Sequence, residues 1–145
     1  MKLEDYHTHS ELCHHAVGTI EDYVNKAIEL KLYTIGICDH FPYEFLEHIE
    51  RIPYTEYAIT VDEINYYLTT GENLREKYKN QINLYIGFEI DFFENQEAAL
   101  NNHLNKVKSR LDYILGSVHI LDFQDNLSSE WIEHPVLSLY SFLLL

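Results

Sequence analysis

Basic residues are scarce in this chain. Ten Lys and Arg stand against 24 Asp and Glu, a formal net charge of -14. That balance argues against a nucleic-acid backbone or an anionic membrane surface as the main partner. It also sits badly with an anionic small substrate, unless bound divalent cations reverse the local sign. Cysteine is scarcer still. Cys13 and Cys38 are the only two; they make no CxxC pair and suit a reducing compartment better than a disulfide scaffold. Glycine-rich phosphate loops, a nucleophile elbow and zinc-ribbon cysteine pairs are all missing. The longest apolar stretch, Val136 to Leu145, is too short to span a bilayer. The charged opening from Met1 to Asp5 does not read as a signal peptide, so the expectation is a cytoplasmic protein.

What remains is one ordinary domain's worth of chain, 145 residues, with 46% hydrophobic and 14% aromatic side chains. That composition supports a sizeable core and argues against disorder. Leu3 to His7 reads as a short strand. Thr19 opens an amphipathic helix carrying Ile20, Tyr23, Val24, Ala27 and Ile28 at helical spacing, with Asp22 placed for a capping box. Tyr33 to Cys38 is a compact β-branched run, hence a buried strand. A long connection, Asp39 to Ile59, is of a length that usually serves function. Thr60-Val61-Asp62-Glu63 opens a second helix, interrupted by Gly71 at a cost of about 1 kcal/mol relative to Ala. Ile82 to Ile90 is a third strand, Glu97 to Leu111 a third helix, and Asp112 to Val118 a fourth strand. The order βαβαβαβ implies a parallel sheet with helices packed on it. After His119 the pattern degrades, and the apolar run from Leu137 to Leu145 has no obvious partner. The chain therefore divides into residues 1–121 and an atypical tail, 122–145, which reads as a truncated or out-of-frame ending.

Candidate metal ligands recur at the C-terminal ends of all four strands: His7 with His9, His40, Glu89 and His119. In parallel α/β folds those ends build the site. His7 and His9 are two apart, so they face one side of an extended strand. In Cys13-His14-His15-Ala16, one of the histidines is placed to reach back to the same mouth. Cys13 is expected to be a small buried apolar residue, since nitrogen and oxygen donors dominate the set. Asp39 and His40 cannot both point into one pore if extended. His40 takes the ligand role, and Asp39 is either an acceptor that orients an imidazole or a turn aspartate. Glu89 lies between Phe88 and Ile90, a setting in which a carboxylate needs a cation or hydrogen-bond partners. Small residues in Gly116-Ser117-Val118-His119 let the chain approach a crowded site. His48, His103 and His134 are expected to be solvated surface side chains.

Four segments resemble, in order, the motifs of the PHP (polymerase and histidinol phosphatase) superfamily. They are Asp5-Tyr6-His7-Thr8-His9-Ser10 with Cys13-His14-His15-Ala16, then Ile37-Cys38-Asp39-His40-Phe41-Pro42, then Gly87-Phe88-Glu89-Ile90-Asp91-Phe92, and Asp112-Tyr113-Ile114-Leu115-Gly116-Ser117-Val118-His119. The likeness is strongest to the histidinol-phosphatase branch and covers roughly residues 3 to 121. It implies an α/β fold, a parallel (β/α) barrel of PHP type that is (β/α)7 in the full family, with only about the first half present here. It implies up to three divalent ions (Zn, Fe or Mn). His7, His9 and Glu89 would hold one, Glu89 with His119 a second, and His15 with His40 the third. The implied reaction is hydrolysis of L-histidinol phosphate to L-histidinol and phosphate, in histidine biosynthesis. Alternatives are another PHP-type phosphoesterase or a non-catalytic metal-binding fragment. The family's later ligands, a further histidine and an Asp-x-His pair, and its basic phosphate-gripping residue have no counterpart here. An incomplete barrel would also leave strand edges open and invite self-association.

Overall fold

The computed structural model describes residues 2–46, 55–121, 130–131 and 141–144. Strands β1 (Glu4–Asp5), β2 (Thr34–Ile37), β3 (Asn83–Asp91) and β4 (Tyr113–Ser117) lie side by side in sequence order, each parallel to the next. Consecutive strands that stay adjacent and parallel, each returning through a helix or turn, form a sector of a barrel wall. The expected half barrel is therefore present. Two further strands, β5 (Ile120–Leu121) and β6 (Glu130–Trp131), pair as a separate antiparallel ribbon. The last strand, β7 (Ser141–Leu144), runs antiparallel along β4. The C-terminal apolar run thus has a partner that the sequence pattern did not reveal. It covers the row of backbone groups that β4 would otherwise expose.

Helix α1 (Ile20–Glu29) begins at the expected cap. The Thr19 hydroxyl accepts from the Asp22 N–H, and the Asp22 carboxylate accepts from the Thr19 N–H at 2.8 Å. Helix α2 (Ile64–Tyr78) follows a 3-10 turn at Val61–Glu63. Both helices lie on one face of the sheet. Ile20, Val24 and Ala27 of α1 and Tyr67, Leu68 and Leu74 of α2 pack against Ile35, Ile37, Leu84, Ile86, Phe88 and Ile90. Those β3 side chains are the even-numbered ones, so alternation sends Tyr85, Gly87, Glu89 and Asp91 to the opposite, inner face. Gly71 is no simple flaw in α2. A Cβ there would lie 3.0 Å from the Ile37 and Ile86 side chains, so its absence lets the helix sit close to the sheet.

Helix α3 (Glu97–Leu104) is shorter than the expected 97–111. A 3-10 turn at Lys108–Arg110 replaces its last turns, although Val107 still packs on the core and Leu111 is buried within it. The long connection after β2 carries 3-10 turns at Tyr43–Phe45 and Thr55–Tyr57. His48 and His134 lie outside the described residues. His103 is half-buried rather than solvated, with its ring stacked 3.7 Å from that of Phe45.

On the inner face a tyrosine cluster fills the space below the strand ends. The Tyr113 ring lies across Gly36 and Gly87, where a Cβ would come within 2.5 Å and 2.6 Å of it. Its hydroxyl donates toward the carbonyls of Tyr6 (2.8 Å) and Ile37 (3.1 Å). Tyr6 packs edge-on against it at 5.7 Å. Only glycine at both strand positions admits a ring there.

Candidate metal centre

The segment after β1 continues extended beside β2. The Cys38 N–H donates to the Thr8 carbonyl (3.0 Å), and the Thr8 hydroxyl donates to the Gly36 carbonyl (2.9 Å). This sends His7 and His9 to the same side. His40 pairs with Glu89 as a parallel bridge just past the end of β2, with the Phe41 N–H donating to the Glu89 carbonyl at 2.9 Å. Glu89 and Asp91 share the inner face of β3, and His119 follows the end of β4.

Four of the candidate histidines gather around Glu89, whose side chain is 1% exposed, and the fifth, His15, lies beside two of them. Its Oε2 lies 2.7 Å from His7 Nε2, 3.0 Å from His9 Nε2 and 3.6 Å from His40 Nε2. Its Oε1 lies 3.6 Å from His119 Nε2. The His15 ring sits 5.0 Å from that of His9 and 5.5 Å from that of His40. Its Nδ1 faces the Cys13 carbonyl at 2.9 Å. His14 instead adopts a left-handed backbone (φ 60°) and lies 3.9 Å from Glu63.

Burial alone would raise the Glu89 carboxyl, but hydrogen bonds from His7 and His9 outweigh it and hold the group far below the usual carboxylate range. Asp91 behaves alike, with burial opposed by His119 and His40. Burial pushes the His40 imidazole down, and the Asp91 and Glu89 carboxylates more than reverse this, so its affinity for a proton is raised. Asp91 raises His119 in the same way, whereas burial lowers His15.

Two expectations need correction or extension. Asp39 does not orient an imidazole. Its carboxylate accepts from the Ser10 N–H (2.5 Å) and the Ser10 hydroxyl (2.6 Å), tying the loop after β1 to the end of β2. The carboxylate that faces the Nδ1 atoms of two imidazoles is Asp91. It accepts from His119 Nδ1, lies 3.0 Å from His40 Nδ1, and also accepts from the Tyr43 and Ser117 hydroxyls at 2.6 and 2.8 Å. A signal for Asp91 was available, since it follows Glu89 by two on one strand. Tyr43 and Ser10 carried none. Cys13 is fully buried as expected, yet its sulfur also accepts from the His40 N–H at 2.9 Å and lies 3.5 Å from His9 Nδ1. Burial pushes its thiol up, so it stays protonated in the metal-free chain.

The donor chemistry fits divalent ions. The sets His7–His9–Glu89, His9–His15–His40 and His40–Asp91–His119 each place their donor atoms within 4.8 Å of one another. Glu89 Oε1 is buried with no hydrogen-bond partner, an arrangement that costs about 1–3 kcal/mol or more for a charged group unless a cation meets it. No Lys or Arg pairs with Glu89 or Asp91 among the described residues.

Comparison with known proteins converges on one family. Residues 5–143 match the family model described as PHP domain. A probable histidinol-phosphatase of Schizosaccharomyces pombe is 30% identical over 138 residues, 88% of this chain and 44% of that protein. The histidinol-phosphatase of Bacillus subtilis is 24% identical over 143 residues, 97% of this chain and 53% of its own. A crystal structure of a candidate histidinol phosphatase from Listeria monocytogenes superposes with a TM-score of 0.76 at 27% identity, over 92% of this chain and 50% of that one. Histidinol phosphate phosphatase from Lactococcus lactis, solved with zinc, L-histidinol and phosphate, has a TM-score of 0.67 over 86% of this chain and 42% of that one; at 22% identity it speaks for the fold alone. The chain spans about half the length of the curated relatives it matches.

Proposed function

This chain belongs to the PHP domain family, and on that premise we propose that it carries the metal-binding half of a phosphomonoesterase acting on L-histidinol phosphate. The observation that carries the reading is the buried Glu89 carboxylate, whose two oxygens are faced by imidazole nitrogens from three different strand ends while Oε1 has no hydrogen-bond partner. His7, His9, His15, His40, Glu89 and His119 would hold the ions, up to three of Zn, Fe or Mn. Bound divalent cations would supply the positive charge that phosphoryl oxygens and a departing alkoxide require. The chain's own contribution is geometric. Glu89 keeps His7 and His9 on one oxygen, the Ser10–Asp39 tie holds the loop that brings His15, and the tyrosines pack beneath the strand ends. A centre of several cations reconciles an anionic substrate with a chain of net charge -14.

Every proposed ligand precedes residue 121, and on this reading the remaining 122–145 stand apart from the chemistry. The substrate is a small phosphorylated alcohol, with no role for nucleic acid, membrane or secretion. No helix among the described residues is long and apolar enough to cross a membrane. The proposed setting is the cytoplasm. The test is release of phosphate from L-histidinol phosphate by the purified chain with added Mn or Zn, beside a version extended to the length of the relatives. Turnover by the longer form, with zinc bound by both, supports the assignment. Failure of both forms to turn over this substrate rejects it, and turnover of short oligonucleotides instead would favour another phosphoesterase activity.

A further inference from the structure

We propose that Asp91 is the positioning residue of this centre: one carboxylate, anchored by Tyr43 and Ser117, that fixes both His40 and His119 with Nδ1 turned toward itself and Nε2 turned toward Glu89.

The argument begins with lone pairs. An ionised carboxylate only accepts, and it has about four sites to do so. At Asp91 three of them are hydrogen-bonded and the fourth faces His40 Nδ1. Oδ1 receives the Ser117 hydroxyl at 2.8 Å and His119 Nδ1. Oδ2 receives the Tyr43 hydroxyl at 2.6 Å and faces His40 Nδ1 at 3.0 Å. His40 Nδ1 is buried and makes no hydrogen bond, and the Asp91 carboxylate 3.0 Å away is the acceptor that faces it. Glu89 is the opposite case. Its Oε2 takes His7 and His9 while Oε1 takes nothing. His40, Asp91 and His119 are close enough to form a donor set. Asp91, however, already holds three hydrogen bonds and faces His40 with its remaining lone pair, whereas Glu89 has a whole oxygen without a partner. The two acids of β3 therefore divide the work: Glu89 ligates and Asp91 aims.

The aim has a chemical consequence. Because Asp91 has no hydrogen to offer, each imidazole must place its hydrogen on Nδ1, which leaves Nε2 bare. Those bare nitrogens lie 3.6 Å from Glu89 Oε2 (His40) and Oε1 (His119). Partners of this kind set the tautomer of metal-ligating histidines, and their loss typically costs about 10–100-fold in metal affinity. Asp91 is 4% exposed, and Tyr43 and Ser117 come from the loop after β2 and from β4. One side chain on β3 thus registers the strand ends on either side of it.

Asp91→Asn is nearly isosteric and changes the logic at one end only. The amide offers one acceptor oxygen and an NH2 that only donates. A hydroxyl beside the NH2 can reverse and accept. An imidazole there must present a bare Nδ1 and carry its hydrogen on Nε2, the nitrogen turned toward Glu89, which weakens its hold on an ion at that oxygen. This inference rests on the cluster being a metal centre, and the experiment separates the two. Long-range 1H–15N spectra of the metal-free chain at pH 9 report which ring nitrogen bears hydrogen, and zinc calorimetry reports affinity. The expected result is Nδ1–H at both His40 and His119 in the wild type, a switch to Nε2–H at one of them in D91N, and zinc binding weakened about 10–100-fold. Nε2–H at either ring in the wild type overturns the proposal, as does a D91N spectrum and zinc isotherm identical to wild type. Should D91N fail to fold, the wild-type spectrum decides by itself. A wild type with both Nδ1–H signals but no zinc binding upholds the hold of Asp91 on the two rings and sinks the metal-centre reading instead.

Discussion

Gly87→Ala should be among the most damaging conservative changes in this chain, and the reason is the Tyr113 ring. A Cβ at residue 87 would stand 2.6, 2.7 and 2.9 Å from Cζ, Cε1 and Cδ1 of that ring. Carbon atoms in contact sit at about 3.5–4.0 Å, so the ring must retreat by roughly 1 Å. It has nowhere to go. It is fully buried, Tyr6 packs against it, and its hydroxyl is tied to two carbonyls. Overpacking of this kind costs about 1–3 kcal/mol. Pulling the hydroxyl from its buried acceptors adds about 1–3 kcal/mol. Replacing a strand glycine returns about 0.5–1 kcal/mol. The net expectation is a loss of about 2–4 kcal/mol, a large share of the roughly 5–15 kcal/mol that holds a domain together. Urea unfolding with EDTA present measures it as a lower midpoint at unchanged slope. The diagnostic is the double-mutant cycle with Tyr113→Leu. Removing the ring should relieve the clash, so the two losses should fall short of additive by more than about 1 kcal/mol. A Gly87→Ala chain within about 0.5 kcal/mol of wild type, or strict additivity in the cycle, would refute the packing argument.

Three further outcomes follow from the site and its supports. Glu89→Gln should weaken zinc binding by more than the about 10–100-fold expected of a positioning residue, and should destabilise the metal-free chain by about 1.5–3 kcal/mol through its bonds to His7 and His9; calorimetry and urea melts check both. His40 and His119 have folded-state proton affinities raised above the ordinary imidazole value near 6.5, so their contribution to the metal-free fold is complete below that value and is lost as pH rises through their folded range. The melting temperature in EDTA should therefore fall from pH 6 to pH 8 on their account, whereas zinc, which competes with those protons, should protect more at pH 8 than at pH 6. An apo curve that rises over that interval would contradict the arrangement. Thr19→Ala breaks the capping box of α1 and should cost about 1 kcal/mol, a drop of about 2–4 °C in melting temperature, with zinc binding untouched.

The alternation of side chains on a strand made much of the site legible. His7 with His9, and Glu89 after a run of core residues, announce both their face and their end of the sheet. Asp91 obeys the same period, but period alone does not separate an acid that binds an ion from one that aims a ring; that depends on Tyr43, which lies 48 residues away and enters from a loop. The sequence leaves Asp39 between two roles for a related reason. It adjoins His40, yet alternation turns it toward Ser10, whose hydroxyl and N–H satisfy it locally. The end of α3 was overread because Val107 and Leu111 keep helical spacing while the backbone tightens into a 3-10 turn beneath them. The pairing of β7 with β4 is a long-range choice, and a short apolar run at a chain's end does not encode its partner.

The ring laid across Gly36 and Gly87 has one more consequence. It puts a packed floor of tyrosine side chains directly beneath the strand ends that carry His7, His9, His40, Glu89 and His119. A side chain added at either glycine would therefore push on the ring and, through the carbonyls of Tyr6 and Ile37 that its hydroxyl holds, be felt at the strand ends above.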